Sequence, residues 1–223
     1  MWHEYPDLEP CIESLTRDIV ERIRTRLQTQ RLFTLAVSGG RSPIPLFERL
    51  AKAELEWARV RIRMVDERYV PPEHEDSNEG LVRRHLLTGS AAGADFRGLY
   101  ARGATIAQAV DAANEDAQRI QLGILGMGDD GHTASLFPGA SQLDAALAPD
   151  AASYLHVTPP QAAHERITLS LPALKACEHL VLYFSGPEKR ELLSQAEKAI
   201  SKQWPISYLA AEPGVPFDVY WHP

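Results

Sequence analysis

The feature that most restricts the fold of this sequence is a repeated alternation of short apolar runs with amphipathic segments. The nearly continuous apolar run Leu32–Val37 leads through a short loop into a segment with apolar residues at Leu46, Phe47 and Leu50. Apolar residues three or four apart predict a helix, whereas a short apolar run between turn residues predicts a buried strand. Strands that alternate with helices are typical of α/β proteins with a mostly parallel sheet. We therefore expect an α/β fold with a single domain over residues 1–223, in which helices flank such a sheet.

Four predicted strands end in loops of unusual composition. The strand at 32–37 is joined by strands at 60–65, 122–128 and 180–184, and a further strand is predicted at 167–171. The four loops read Ser-Gly-Gly-Arg-Ser-Pro at 38–43, Asp-Glu-Arg at 66–68, Gly-Met-Gly-Asp-Asp-Gly-His at 126–132 and Ser-Gly-Pro-Glu-Lys at 185–189. In open parallel sheets, ligands bind beyond the carboxyl ends of the strands. We therefore expect these loops to meet at one edge and to form the functional site.

The first of these loops has the character of a small-anion site. Its two glycines, Gly39 and Gly40, allow backbone N–H groups to approach an anion, and the following helix N-terminus favours negative charge. The hydroxyls of Ser38 and Ser42 add hydrogen-bond donors. The loop lacks the Gly-Lys-Ser/Thr of a nucleotide P-loop and the G-x-G-x-x-G of dinucleotide sites, so it favours a monophosphate. A tight turn explains the glycines equally well when they are considered alone.

The second loop supplies a candidate phosphate ligand. Arginine binds phosphate through two parallel hydrogen bonds, and Arg68 closes the triplet Asp66-Glu67-Arg68. Charged residues at a strand end are just as often simply solvated. The triplet alone therefore leaves both interpretations open.

His132 is the residue that most strongly indicates catalysis. It lies among small residues, and histidine changes charge between pH 5 and 8, which suits a general base. Either Asp129 or Asp130 is close enough in sequence to orient its ring, and packing or helix capping is the alternative role. A metal site there is disfavoured because the chain has no HExxH and no i, i+4 histidine pair. The other histidines are interpreted as structural or surface residues: His3, His74, His85, His156, His164, His179 and His222.

Composition excludes several other classes of protein. The formal charge of −7 argues against a general nucleic-acid binder, which needs clustered Lys and Arg. The two cysteines form no CxxC pair, which excludes a zinc ribbon or a disulfide scaffold and fits a reducing compartment. The N-terminus lacks a signal-peptide pattern, and no apolar run approaches the roughly 20 residues that span a bilayer. We therefore expect a soluble cytoplasmic protein that binds neither nucleic acid nor membrane.

Taken together, the motifs resemble those of the 6-phosphogluconolactonase family. The matching segments are Leu-Ala-Val-Ser-Gly-Gly-Arg-Ser-Pro at 35–43, Val-Asp-Glu-Arg at 65–68 with Ser77-Asn78, the His-containing run at 126–139, Arg-Ile-Thr-Leu at 166–169 and Gly-Pro-Glu-Lys at 186–189. The resemblance implies a fold shared with amino-sugar-phosphate deaminases and ribose-5-phosphate isomerases. It also implies hydrolysis of 6-phosphoglucono-1,5-lactone to 6-phosphogluconate, in the oxidative branch of the pentose phosphate pathway, without a cofactor or a metal.

The resemblance further assigns roles to individual residues. It implies that His132 is the catalytic base and that Asp130 supports it. The candidates for binding the small phosphosugar lactone are Ser38, Gly39, Gly40, Arg41, Ser42, Asp66, Glu67, Arg68, Asn78, Gly128, Asp129, Gly131, Arg166 and Lys189. Arg41 replaces a small hydroxyl residue found in many members, which leaves its role open. The oligomeric state, with a monomer among the alternatives, and the segment after Trp204 are also left open.

Two alternative functions are set against this one. A glucosamine-6-phosphate deaminase has a similar Asp-Gly-His motif, but that family carries a proton-transferring Glu five residues after its His, where this chain has Phe137. A non-catalytic sugar-phosphate sensor would need an output module, and the chain has no basic helix-turn-helix segment. The sequence therefore favours the lactonase.

Overall fold

Parallel strand pairing dominates the fold, as the computed structural model shows for residues 1–211 and 214–223, which are the residues it describes. The strands in this part of the chain are β1 (Trp2–Glu4), β2 (Phe33–Val37), β3 (Val60–Met64), β4 (Asp66–Arg68), β5 (Asp95–Arg97), β6 (Leu122–Leu125), β7 (Tyr154–Val157), β8 (Arg166–Leu169), β9 (Leu180–Ser185) and β10 (Phe217–His222). Seven of them form one sheet in the order β1-β10-β9-β6-β2-β3-β5, and every pair in it is parallel. The prediction of a mostly parallel α/β fold is confirmed.

The described residues also contain helices. They are α1 (Leu8–Leu27), α2 (Ile44–Leu50), α3 (Asn78–His85), α4 (Ile106–Glu115), α5 (Leu143–Leu147), α6 (Leu171–Lys175), α7 (Pro187–Ala196) and α8 (Ser207–Ala210). In α1, the apolar residues Ile12, Leu15, Ile19 and Ile23 recur three or four positions apart and are buried in the core. Within the described ranges, no helix combines the length and the apolar character needed to cross a membrane.

Strand burial follows the position of each strand in the sheet. All five residues of β2 are buried, because β2 lies inside the sheet between β3 and β6. Parallel strands covered on both faces have this continuous apolar composition. In β3, Arg61 and Arg63 alternate with apolar residues, and β3 is the second strand from one edge of the sheet.

A second, antiparallel sheet was not predicted. Its three strands have the order β4-β8-β7, and it contains the Asp-Glu-Arg triplet that the sequence placed in a loop. The strand predicted at 167–171 is β8, but it pairs outside the parallel sheet. The other two strands of this sheet, β4 and β7, have three and four residues, and hydrophobic alternation gives little signal over so few residues.

Other parts of the described chain complete the fold. Helix α4 ends at Glu115, and Gly89–Gly93 forms a 3₁₀ turn in which Ala91 is buried. The segment after Trp204 was left open by the sequence and forms α8 and β10. Strands β1 and β10 pair side by side although they lie at opposite ends of the described chain, so no local pattern indicates the pairing.

Asn114 joins the parallel part of the fold to the antiparallel sheet. Its side chain lies in α4 and accepts a hydrogen bond from the backbone N–H of Tyr154 (2.8 Å) and donates one to the Tyr154 carbonyl (2.8 Å). The amide therefore takes the place of a neighbouring strand along β7. This contact supports the small sheet from which Arg68 and Arg166 extend.

We predict that Asn114→Ala lowers the free energy of unfolding by about 1–3 kcal/mol, because two backbone groups of Tyr154 lose their partner. Asn114→Asp keeps the acceptor and should give a smaller loss. Denaturant unfolding measures both. Asp111→Ala, an exposed change on the same helix, is the control and should stay within about 0.5 kcal/mol of wild type. Equal stability of Asn114→Ala and the control would contradict the bridging role.

Candidate active site

A small polar cavity of about 210 Å³ lies at the carboxyl edge of the parallel sheet, and all four strand-end loops contribute to it. The loop residues that line it are Ser38, Gly39, Gly40, Ser42, Pro43, Asp66, Arg68, Gly126, Met127, Gly128, His132 and Lys189, with Asn78 from the start of α3. The expected convergence at one edge is therefore present. The glycine loop and the imidazole of His132 share the same cavity.

The first loop approaches α3 so closely that a side chain is excluded at Gly39. A Cβ atom built on Gly39 would overlap the side chain of Asn78, so glycine is required there. Asn78 donates from Nδ2 to the carbonyl of Asp66 (3.0 Å). Its Oδ1 and the Oγ of Ser38 are buried and have no hydrogen-bond partner within the described chain. Buried polar atoms of this kind are costly unless a ligand or water pairs with them.

The direction of each side chain in the Asp-Glu-Arg triplet follows from its strand geometry. Successive side chains of a strand point to opposite faces, so Asp66 and Arg68 face the cavity and Glu67 faces away from it. Glu67 is fully buried and accepts the backbone N–H groups of Arg68 (2.8 Å), Asn78 (2.7 Å) and Glu79 (2.6 Å). Burial raises its pKa to about 7, although these backbone bonds act in the opposite direction. Glu67, a predicted substrate ligand, thus binds the amino end of α3 instead.

Asp66 is held in place by a buried hydrogen bond. Ser135, in the loop that follows His132, donates from Oγ to Asp66 Oδ2 (2.7 Å), and its own N–H donates to Thr168 Oγ1 (3.0 Å). Three separate segments of the chain therefore meet behind Asp66. Its carboxylate is fixed where it lines the cavity.

Two arginines face each other beside the cavity. Arg68 and Arg166 are directly opposite in the antiparallel ladder of β4 and β8. Arg166 is only 6% exposed, and its Nη1 has no partner among the described residues. Burial, and then the charge of Arg68, lower the pKa of Arg166. Like charges in directly opposed positions destabilise a sheet, and an anion between the two guanidinium groups would offset this repulsion.

His132 forms a closely bonded pair with Asp130. Its Nδ1 lies 2.5 Å from Asp130 Oδ1, and the same oxygen accepts the backbone N–H of His132 (3.1 Å). Burial acts to raise the pKa of Asp130, but the bonds to His132 outweigh it and the pKa is lowered. The Phe137 ring packs on the imidazole, with 4.3 Å between centroids. Asp130 is thus the carboxylate that orients the ring.

Asp129, the other carboxylate that the sequence left open, has a different partner. Its side chain is 94% exposed and lies 3.3 Å from the ammonium of Lys189. Lys189 also donates to the carbonyl of Met127 (2.7 Å). These contacts hold the ammonium of Lys189 at the wall of the cavity.

The segment after Trp204 supports the histidine loop. The carbonyl of Gly131 accepts the N–H of Ile206 (3.0 Å), and a Cβ on Gly131 would lie 2.9 Å from Cδ1 of Trp204. Within the loop, the N–H of Gly128 donates to the carbonyl of His132 (2.9 Å), and the N–H of Gly131 donates to that of Gly128 (3.1 Å). The N–H groups of these two glycines therefore fix the loop shape and are not directed at a ligand.

Not all of the predicted site residues line the cavity. The predicted residues outside its lining are Arg41, Glu67, Asp129, Asp130, Gly131 and Arg166. Arg41 is exposed, because the glycine loop directs its side chain outward. Sequence reasoning missed Tyr183, a buried residue of β9 that lines the cavity and whose hydroxyl lies 3.3 Å from His222 Nε2. The only sequence signal for its place in the cavity lining is that Tyr183 lies two residues before the end of strand β9.

A larger cavity of about 610 Å³ lies elsewhere, beside α4. It is lined by Arg63, Arg97 and Tyr100 together with several alanines of α4. Arg63 Nε faces Asp116 at 3.4 Å, so charged groups here pair with each other. Because the larger cavity lies apart from the strand-end loops, the smaller cavity is the better candidate for a catalytic site.

Comparisons with known proteins bear on the family and the fold of the chain. Residues 6–221 match the family model described as glucosamine-6-phosphate isomerases/6-phosphogluconolactonase. A 6-phosphogluconolactonase of Pseudomonas putida is 39% identical over 99% of this chain and 92% of its own length. The crystal structure of a 6-phosphogluconolactonase from Shewanella baltica is 31% identical, covers 100% of this chain and 97% of its own, and superposes with a TM-score of 0.93. A monomeric glucosamine-6-phosphate deaminase shares the fold alone, at 14% identity and a TM-score of 0.78 over 98% of this chain and 96% of its own.

We predict that Gly131→Ala destabilises the protein by at least about 1 kcal/mol more than Gly103→Ala. Both glycines have positive φ, 77° and 81°, which costs another residue about 1–2 kcal/mol. Only Gly131 also meets Trp204, and overpacking typically adds about 1–3 kcal/mol. Gly103 has open space around it and is therefore the matched control. Thermal or denaturant unfolding of the two variants tests the contact, and equal losses would show that Trp204 does not press on this loop.

Proposed function

The chain belongs to the family of glucosamine-6-phosphate isomerases and 6-phosphogluconolactonases, and we propose that it hydrolyses 6-phosphoglucono-1,5-lactone to 6-phosphogluconate. The observation that carries this proposal is that one cavity is lined both by His132, which bonds to Asp130, and by Arg68, which lies directly opposite Arg166 in the small sheet. A phosphorylated lactone needs both parts. One part holds its phosphate, and the other activates the water that opens its ring.

The phosphate is proposed to bind at the two opposed arginines, where Nη1 of Arg166 has no hydrogen-bond partner among the described residues. Arg68 lines the cavity and Arg166 lies opposite it, and a phosphate between them would relieve their mutual repulsion. The buried hydroxyl of Ser38 is available as a further donor. Asp66 and the free Oδ1 of Asn78 are acceptors and therefore suit the sugar hydroxyls.

His132 is proposed to act as the general base. Asp130 occupies Nδ1, so Nε2 is the nitrogen that accepts a proton from water as the water oxygen attacks the lactone carbonyl carbon. The imidazolium formed is stabilised by the Asp130 carboxylate. When the tetrahedral intermediate collapses, the bond between the carbonyl carbon and the ring oxygen breaks, and His132 returns the proton to that oxygen. The product is a hydroxyl and a carboxylic acid, which releases its own proton to solvent.

Phe137 favours this reaction over the deaminase alternative. Ring opening and proton shuttling in deaminases use a Glu at the corresponding position, and a phenyl ring transfers no proton. In this chain the ring instead packs on His132 and lies 5.9 Å from the guanidinium carbon of Arg166. The position thus supports the two groups that the lactonase scheme uses.

We predict that His132→Asn lowers kcat by about 10²–10⁴-fold with little change in KM, the range typical for loss of a general base. The assay follows proton release from freshly generated 6-phosphogluconolactone, with spontaneous hydrolysis subtracted from enzyme-free samples. Glucosamine 6-phosphate is tested in parallel, and release of ammonia from it would favour the deaminase instead.

The matched control for this variant is His156→Asn. His156 is also hydrogen-bonded to a carboxylate, that of Glu165, but it lies outside the cavity lining. Its kcat should remain near wild type. Near-normal turnover by His132→Asn would remove His132 from the role of base.

We also predict that Arg68→Ala raises KM roughly ten- to hundredfold with a smaller effect on kcat, since a hydrogen bond to a charged group contributes about 1.5–3 kcal/mol. Arg41→Ala is the control, because Arg41 belongs to the same site in sequence but is exposed and lies outside the cavity lining. Steady-state kinetics of both variants separate the roles. An equal rise of KM in Arg41→Ala would place the phosphate on the outer face of the glycine loop.

A further inference from the structure

Two histidines that the sequence left as surface residues lie together with an aspartate beside the cavity. His74 and Asp76 belong to the loop after β4, and His164 lies in the loop before β8, 88 residues from Asp76. One ligand atom from each of the three side chains falls within 4.8 Å of the others. Asp76 Oδ2 lies 2.9 Å from His164 Nε2 and 3.9 Å from His74 Nδ1.

We propose that His74, Asp76 and His164 form a binding site for a divalent transition-metal ion, with zinc as the best match. Two imidazoles and one carboxylate are a donor set that zinc binds while keeping one position open for water. With bonds of about 2.0–2.1 Å, the ligand atoms around a tetrahedral zinc lie about 3.3 Å apart. The separations of 2.9 Å and 3.9 Å fall on either side of this value, so small side-chain rotations are sufficient.

The three side chains are exposed enough for an ion to reach them from solvent. Their side chains are 40%, 50% and 27% exposed for His74, Asp76 and His164. The two rings lie 5.1 Å apart and nearly perpendicular. His74 Nδ1 accepts the backbone N–H of Asp76 (3.1 Å), a bond that an ion at this nitrogen would replace.

The backbone of His164 is held in an unfavourable conformation at this position. Its φ is 70°, in the left-handed region that costs a non-glycine residue about 1–2 kcal/mol. Among the described residues only Ala134 shares this property outside glycine. The strained conformation places the imidazole of His164 against Asp76 instead of in solvent.

The neighbouring charges limit how tightly the ion is held. Arg68 donates to the backbone carbonyl of Asp76 (2.6 Å), so its positive charge opposes a cation at this site. One carboxylate neutralises only part of the charge of the ion. We therefore expect binding weaker than at structural zinc sites, in which thiolates neutralise the ion. A bound ion would join the loop after β4 to the loop before β8, independently of the proposed reaction.

The test is calorimetric titration of zinc into protein freed of metal by chelation. Wild type should bind one zinc per chain, and His74→Gln and His164→Gln should each lower the affinity by at least about tenfold. Because the two variants change different loops, one remains informative if the other folds poorly. His156→Gln, whose imidazole pairs with a carboxylate outside the cluster, is the control and should bind as wild type does.

Each other result overturns the proposal. Wild type that binds no zinc, or variants that bind it as wild type does, would leave the cluster as a set of hydrogen bonds only. Loss of binding in His132→Asn, with binding kept in His74→Gln, would move the ion to the His132–Asp130 pair. X-ray absorption spectroscopy on zinc-loaded wild type identifies the zinc ligands independently, because the proposal requires two imidazoles among them.

Discussion

The buried carboxylate of Glu67 is the contact on which the arrangement of the site depends. By accepting three backbone N–H groups, it fixes β4 against the amino end of α3. A helix N-terminus leaves N–H groups without partners and favours negative charge, so this is a stable place for a buried acid. Since strand residues alternate, anchoring Glu67 inward turns Asp66 and Arg68 toward the cavity and brings Asn78 against the glycine loop.

This framework leaves an excess of positive charge on one face of the small sheet. Arg68 and Arg166 are opposed across two strands, and the second of them is buried with an unpaired donor. A structure optimised for stability alone would not keep two guanidinium groups in this arrangement. Under the proposed function, the phosphate of the substrate would offset this repulsion, which is the pattern expected of a binding site formed before its ligand arrives.

The parallel sheet was predictable and the antiparallel one was not, for a physical reason. Long apolar runs such as Leu180–Ser185 are visible in sequence because burial on both faces excludes polar residues, and parallel strands necessarily end at one edge. The inward direction of Glu67 depends on a three-residue strand whose partner, β8, lies about a hundred positions later. For the same reason, no local pattern in the sequence indicates the contact of His74 with His164 or that of Trp204 with Gly131. Each contact exists only after the chain has folded.

A shared fold does not decide between the reactions found in this family, so the decision must come from individual side chains. The deaminase that superposes at 14% identity shows how little of the sequence the fold requires. The phenyl ring of Phe137 packs on the imidazole of His132, and Asp130 is the acidic residue bonded to that imidazole. A histidine base with one carboxylate partner and no second acid can take a proton from water and then pass it to the leaving oxygen. That is sufficient to hydrolyse a cyclic ester, whereas opening and isomerising an amino sugar needs a further proton carrier at this wall of the cavity.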